Sequence, residues 1–120
     1  VILDAPPGTS CPLAATLSGV DRVALVTEPT PFGLSDLRLA AETARMLGLS
    51  ISVVINRDGV GDGRVDEYCA STGIAVAGRI PDSRLVAEAY SRGELPLDTV
   101  AEFREAMAAI AAHLTREVPA

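Results

Sequence analysis

The sequence predicts an α/β fold, with a mostly parallel sheet between two layers of helices. Three observations predict it. Short β-branched runs alternate with helical patterns along the 120 residues, the runs are almost continuously apolar, and the helical stretches stop at glycines. An unbroken apolar run suits a strand covered on both faces, the condition found in parallel sheets. The alternation implies strand–helix–strand units with right-handed crossovers.

Val1-Ile2-Leu3-Asp4 reads as a buried strand entered midway, with no Met and no leading cap, so a fragment is expected. Val23 to Thr27, Ile51 to Ile55 and Ile74 to Ile80 read as the further strands. Leu34 to Leu47 reads as a helix, with Leu37, Ala40, Ala44 and Leu47 on one stripe. Gly48 closes it, as Gly73 closes Val65 to Thr72 and Gly93 closes Arg84 to Arg92. Glycine takes the left-handed position after a helix at little steric cost. Thr99-Val100-Ala101-Glu102 fits a capping box, and Val100, Phe103, Met107, Ile110 and Leu114 follow at three- and four-residue steps. That pattern predicts a terminal helix packed on the sheet; two heptads are too few to favour a coiled coil. The loops Asp58 to Gly63 and Arg92 to Pro96 are too short for linkers, so residues 1–120 are expected to form part of one domain.

Composition narrows the function. Hydrophobic residues make up 48% and aromatics only 3%, with no Trp, so the core must be built from Ala, Val, Leu and Ile. A formal charge of −6 argues against binding a nucleic-acid backbone. All ten basic residues are Arg. Without Lys there is no phosphate-loop lysine, Schiff base or lysine general base in this chain. Cys11 and Cys69 lack the spacing of a zinc site or a disulfide framework. No apolar run reaches the length of a membrane span and no leader pattern is present, so a cytoplasmic location is the expectation.

In an open parallel sheet, ligands bind beyond the carboxyl ends of the strands, which selects four loops. Asp4-Ala5-Pro6-Pro7-Gly8 places a carboxylate at a strand end before a stiff turn. This suits a magnesium-phosphate site, and it equally suits a rigid turn with Asp4 as a local cap. Thr27 to Gly33 carries Pro29, Pro31 and Gly33 and is expected to hold one shape, with Phe32 packed beneath it. Asn56-Arg57 can offer a base edge a donor and an acceptor and stack on its face, or can be a turn-forming Asn beside a solvated Arg. Pro81-Asp82-Ser83 borders the fourth strand, where Asp82 can simply cap the next helix. Cys11 reads either as a thiol activated at a helix start or as a small buried residue; Cys69 reads as structural, and His113 is given no role.

Taken in order, the runs DAPPGTSCP, VTEPTPFGLSDLRLA, VVINRDG and IPDSRLVAEAYSRGELP resemble the MinD/ParA-type deviant P-loop ATPases over nearly the whole chain. Within that superfamily they look most like the group with an inserted ferredoxin domain, akin to iron–sulfur cluster carrier ATPases. The resemblance implies a three-layer P-loop NTPase-like sheet, ATP and Mg2+ as cofactors, slow ATP hydrolysis and a nucleotide-sandwich homodimer. It implies that Asp4 is the Walker B-type acid facing the metal and that Gly8, beside Pro7, senses the γ-phosphate. It further implies that Asn56 and Arg57 contact the adenine and that Pro81 and Asp82 border its pocket. An iron–sulfur or redox protein is the implied partner.

The departures are as definite. The family's glycine-rich loop with two lysines, its Thr or Ser metal ligand and its switch aspartate have no counterpart here. Two cysteines cannot supply the four thiolates of a 4Fe-4S cluster, so clusters would belong only to an insert outside this chain. The chain is therefore expected to be a carboxy-terminal part of an ATPase, inactive alone. A non-catalytic module that binds a partner through the Thr27 to Gly33 loop is the alternative. A receiver-like phosphoacceptor domain using Asp4 ranks last, because the Lys and the acidic pair it needs are not found. With the phosphate-loop strand missing, Val1 to Asp4 is expected either to pair with Val23 to Val26 or to leave a gap that a second copy fills.

Overall fold

The computed structural model describes residues 1–5 and 15–116. Its elements are β1 (Val23–Thr27), α1 (Pro31–Met46), β2 (Ile51–Asp58), α2 (Arg64–Thr72), β3 (Ala75–Pro81), α3 (Arg84–Ser91), α4 (Pro96–Thr99) and α5 (Ala101–Leu114). Among the described residues the sheet has three strands in the order β1-β2-β3, and both pairings are parallel. The α/β class and the parallel sheet stand as expected.

The central strand explains the layers. Ser52, Val53, Val54 and Ile55 of β2 are all buried, which only a strand covered on both faces can achieve. Val53 and Ile55 pack with Leu37 and Ala41 of α1 and with Val65 and Cys69 of α2. Val54 points the other way, to Ala77 of β3 and Ile110 of α5. The period-two alternation of a strand thus assigns α1 and α2 to one face and α5 to the other. α5 presents Met107, Ile110 and Leu114 to that face as its sequence spacing predicts, with Val100 buried at its N-cap.

Four local expectations change. Val1–Asp4 is not a strand: Val1 and Ile2 are fully exposed and the segment pairs with nothing in the sheet. A strand needs a neighbour for its backbone groups, and among the described residues none meets it. Among the described residues the outer edge of β1 therefore has no paired strand. α1 starts at Pro31 rather than at Leu34, because Thr30 caps it by accepting the Gly33 N–H at 3.0 Å and proline suits the first turn. Its buried stripe is Leu37, Ala41 and Ala44, with Leu47 at 49% exposure, so the helix is turned from the expected face. Thr99 does not cap α5: its hydroxyl donates to Leu95 O at 3.4 Å, because Pro96 starts the short α4 and Val100 becomes the N-cap of α5. The helix stops do stand, with Gly48, Gly73 and Gly93 at φ 72°, 69° and 71°.

One glycine sets the spacing between layers. A Cβ at Gly78 would lie 2.5 Å from Ile110 Cγ1, so α5 rests on bare backbone of β3. Gly78→Ala should lower stability by about 1–3 kcal/mol through overpacking, measured by urea unfolding.

Candidate functional site

The carboxyl ends of the three strands, Thr27, Asp58 and Pro81, form one rim, and the loops that leave it are tied together by backbone. Thr27 Oγ1 donates to Gly33 O at 2.9 Å and Thr30 N–H donates to Glu28 O at 2.8 Å. A Cβ at Gly33 would stand 2.1 Å from Glu28 O, and one at Gly61 would stand 1.5 Å from Pro29 O. Both positions therefore require glycine for close approach. Asp62 N–H donates to Pro29 O at 3.2 Å, which docks the β2–α2 loop on the β1–α1 loop. Asp82 N–H donates to Asp58 O at 3.1 Å, which joins the third loop to the second.

The end of β2 carries an irregularity. Ile55 pairs with Arg79 and Asp58 with Pro81, so three steps on β2 match two on β3. The extra residue is a β-bulge containing Asn56 and Arg57, a device that re-aims side chains. Arg57 lies at φ 53°, the left-handed region that a non-glycine residue enters at a cost. Asn56 Oδ1 accepts the Arg57 N–H at 3.0 Å. The Arg57 guanidinium sits between two carboxylates, with Nε 3.4 Å from Asp82 Oδ1 and Nη1 3.8 Å from Glu28 Oε2.

Beside this bulge lies a cleft of about 500 Å³. Asn56, Arg57, Pro81 and Asp82, the four candidates from the third and fourth loops, all line it. Ile80, Val86 and Met107 give it an apolar wall, and Tyr90 and Phe103 add aromatic faces. Asn56 Nδ2 has no hydrogen-bond partner among the described residues, and neither has Asp82 Oδ2. Among the described residues the cleft lining thus combines an unpaired donor and an unpaired acceptor with apolar and aromatic side chains. Asp82 does not cap α3, whose N-cap is Ser83 with no side-chain cap bond.

The other candidates are not brought there. Asp4 is exposed on the unpaired first segment and does not line the cleft. Pro7, Gly8 and Cys11 lie outside the described residues. Phe32 is 86% exposed rather than packed beneath its loop, because α1 begins at Pro31 and carries it outward on the first turn. Among the described residues no three acidic, His or Cys side chains converge as a metal cage. A magnesium ion that arrives with a nucleotide needs one or two carboxylates and the phosphates instead, and Asp4 has the chemistry for that. Glu28, Gly61, Tyr90, Phe103 and Met107 escape sequence reasoning. Only the glycine in Gly59-Val60-Gly61 gave a local signal, of a turn.

A second arginine braces the rim from behind. Arg79 Nη1 donates to Asp66 Oδ2 at 3.2 Å, Nη2 donates to Asp66 Oδ1, and Nη1 lies 3.6 Å from Asp58 Oδ1. The hydrogen bonds from Arg79 hold the Asp66 carboxyl below its ordinary value, against a smaller opposing effect of burial. Burial pushes the Cys69 thiol up, aided by the Asp66 charge, so it stays protonated at neutral pH and is a packing residue.

No protein-family profile matches the sequence. An uncharacterized protein of Methanocaldococcus jannaschii is 33% identical over 93 residues, which are 78% of this chain and 31% of that protein. The cell division ATPase MinD of Pyrococcus furiosus superposes with a TM-score of 0.72 at 23% identity, over 92% of this chain and 49% of its own. The septum site-determining protein MinD of Pyrococcus horikoshii, solved with Mg-ADP, superposes with a TM-score of 0.75 at 18% identity, over 94% and 49%. The chain therefore has the α/β fold of these two MinD structures. It spans about half the length of these solved structures and under a third of the curated relative.

The Asp66–Arg79 pair gives a pH prediction. Asp66 is only partly buried, so Asp66→Asn should cost at most about 1 kcal/mol at neutral pH. A depressed carboxyl stabilises fully above its unfolded pKa and loses that contribution as pH falls through the folded one. The two proteins should converge in urea unfolding once the pH drops below the carboxylate range.

Proposed function

We propose that this chain forms the nucleobase-binding half of a MinD/ParA-like ATP site. The observation that carries the reading is the rim cleft, where a donor of Asn56 and an acceptor of Asp82, both unpaired among the described residues, accompany an apolar, aromatic wall. Adenine offers the complement on one edge, an exocyclic amine that donates and a ring nitrogen that accepts. Arg57 and Pro81 border the same cleft. The fold neighbour solved with Mg-ADP supports a nucleotide as the ligand. Asp4 is proposed to face the magnesium of the bound nucleotide, and Pro7 and Gly8 to meet its terminal phosphate.

Phosphoryl transfer needs the phosphates positioned and neutralised, and this chain has no lysine to do so. Hydrolysis is therefore assigned to the longer protein, with the chain alone inactive. A homo-oligomer, a cytoplasmic location and coupling to an iron–sulfur or redox partner complete the reading; the β1 edge, unpaired among the described residues, supports the first, and the sequence expectations the others.

Isothermal titration tests it. In the intact protein Asn56→Ala should weaken ATP binding by about 1–3 kcal/mol, the cost of an unmet polar partner. Unchanged affinity with the fold intact would return Asn56 to a turn former. Micromolar Mg-ATP binding or turnover by the 120-residue chain would refute the division of labour.

The exposed Phe32 favours a second reading, a partner-binding module using the start of α1. Loss of a partner in Phe32→Ala, with nucleotide affinity unchanged, would select it.

A further inference from the structure

Arg57 occupies a place that its backbone alone does not justify. Its φ of 53° is the left-handed value that glycine or asparagine takes more easily, yet an arginine stands there. The bulge at β2 turns its side chain along the rim, where one guanidinium meets carboxylates from two loops. Glu28 belongs to the loop after β1 and Asp82 to the loop after β3. All three side chains are about half exposed, so each ion pair is individually weak. Such a pairing contributes little to global stability. It does fix the separation of two loops.

We infer that Arg57 is a positioning residue of the cleft, a clasp between Glu28 and Asp82 that holds the Asp82 carboxylate where Asn56 and Asp82 can read one heterocycle together. Arginine suits this because its planar fork keeps its charge and can present separate N–H groups to two acceptors. Glu28 is a sound anchor, since its loop is pinned by backbone at Gly33 and Gly61. Asp82 is the movable partner, tied by its N–H to Asp58 O but with a half-exposed side chain. The clasp predicts that the guanidinium does not stack on the base. For the identity of the ligand, the inference rests on the nucleotide reading above.

Arg57→Gly separates the clasp from the turn, because glycine accepts the left-handed backbone and removes only the guanidinium. The variant should melt no lower than the parent. Amide exchange at Thr30 and Asp82 should nevertheless quicken by about three- to tenfold, the size expected for two weak ion pairs. Adenosine, titrated by amide shifts at Ile80 and Val86, should bind several-fold more weakly, and Arg57→Lys should recover part of both effects. Unchanged exchange in Arg57→Gly overturns the clasp, whatever adenosine does. Faster exchange with unchanged adenosine affinity overturns the positioning role. A parent chain that gives no adenosine shifts at all refutes the nucleotide reading, while faster exchange in the variant still upholds the clasp.

Discussion

The burial of β2 on both faces is the constraint from which the other placements follow. Val53 and Ile55 can be removed from water only by α1 and α2, and Val54 only by α5. Fully burying such a side chain stabilises by about 1.5–3 kcal/mol, so three of them outweigh any single surface contact in the molecule. Parallel pairing on both sides then brings the ends of β1, β2 and β3 to the same rim. The loops meet there because the strands do.

What the rim gains from backbone differs from what it gains from side chains. At Gly33 and Gly61 the chain approaches so closely that no Cβ fits, and neighbouring amides bond across the gap. Those contacts have one geometry and cannot adjust. The ion pairs of Arg57 are long, half exposed and weak, and can adjust easily. A rigid floor under movable charges suits a site that must admit a ligand and then hold it.

The fold was legible because its signals are local and redundant. The run Ser52 to Ile55 states its own burial, and Gly48, Gly73 and Gly93 state their helix ends. Expectations failed where two local signals compete. Thr30 and Pro31 start α1 one turn ahead of Leu34, and Pro96 took the turn that Thr99 would have capped. Val1–Asp4 has the composition of a strand but no partner among the described residues, and composition cannot supply one. At the site, Asn56, Arg57, Pro81 and Asp82 follow from the rule that strand ends bind ligands. Tyr90, Phe103 and Met107 reach the cleft from α3 and α5, elements whose docking is decided by packing on β3, so no short motif marks them.

Electrostatics divides the labour at the rim. The chain carries a net charge of −6, and every cation strong enough to oppose it is an arginine. Arg57 and Arg79 are each already engaged by two carboxylates, so neither brings uncompensated positive charge to a ligand. Glu28, Asp58 and Asp82 stand at this rim and would oppose a triphosphate placed against it. A neutral base meets no such penalty, and gains from the apolar wall and the two unpaired polar groups. On the proposed reading the base end of a nucleotide lies at this cleft, with the positive charge for the phosphates coming from groups beyond it.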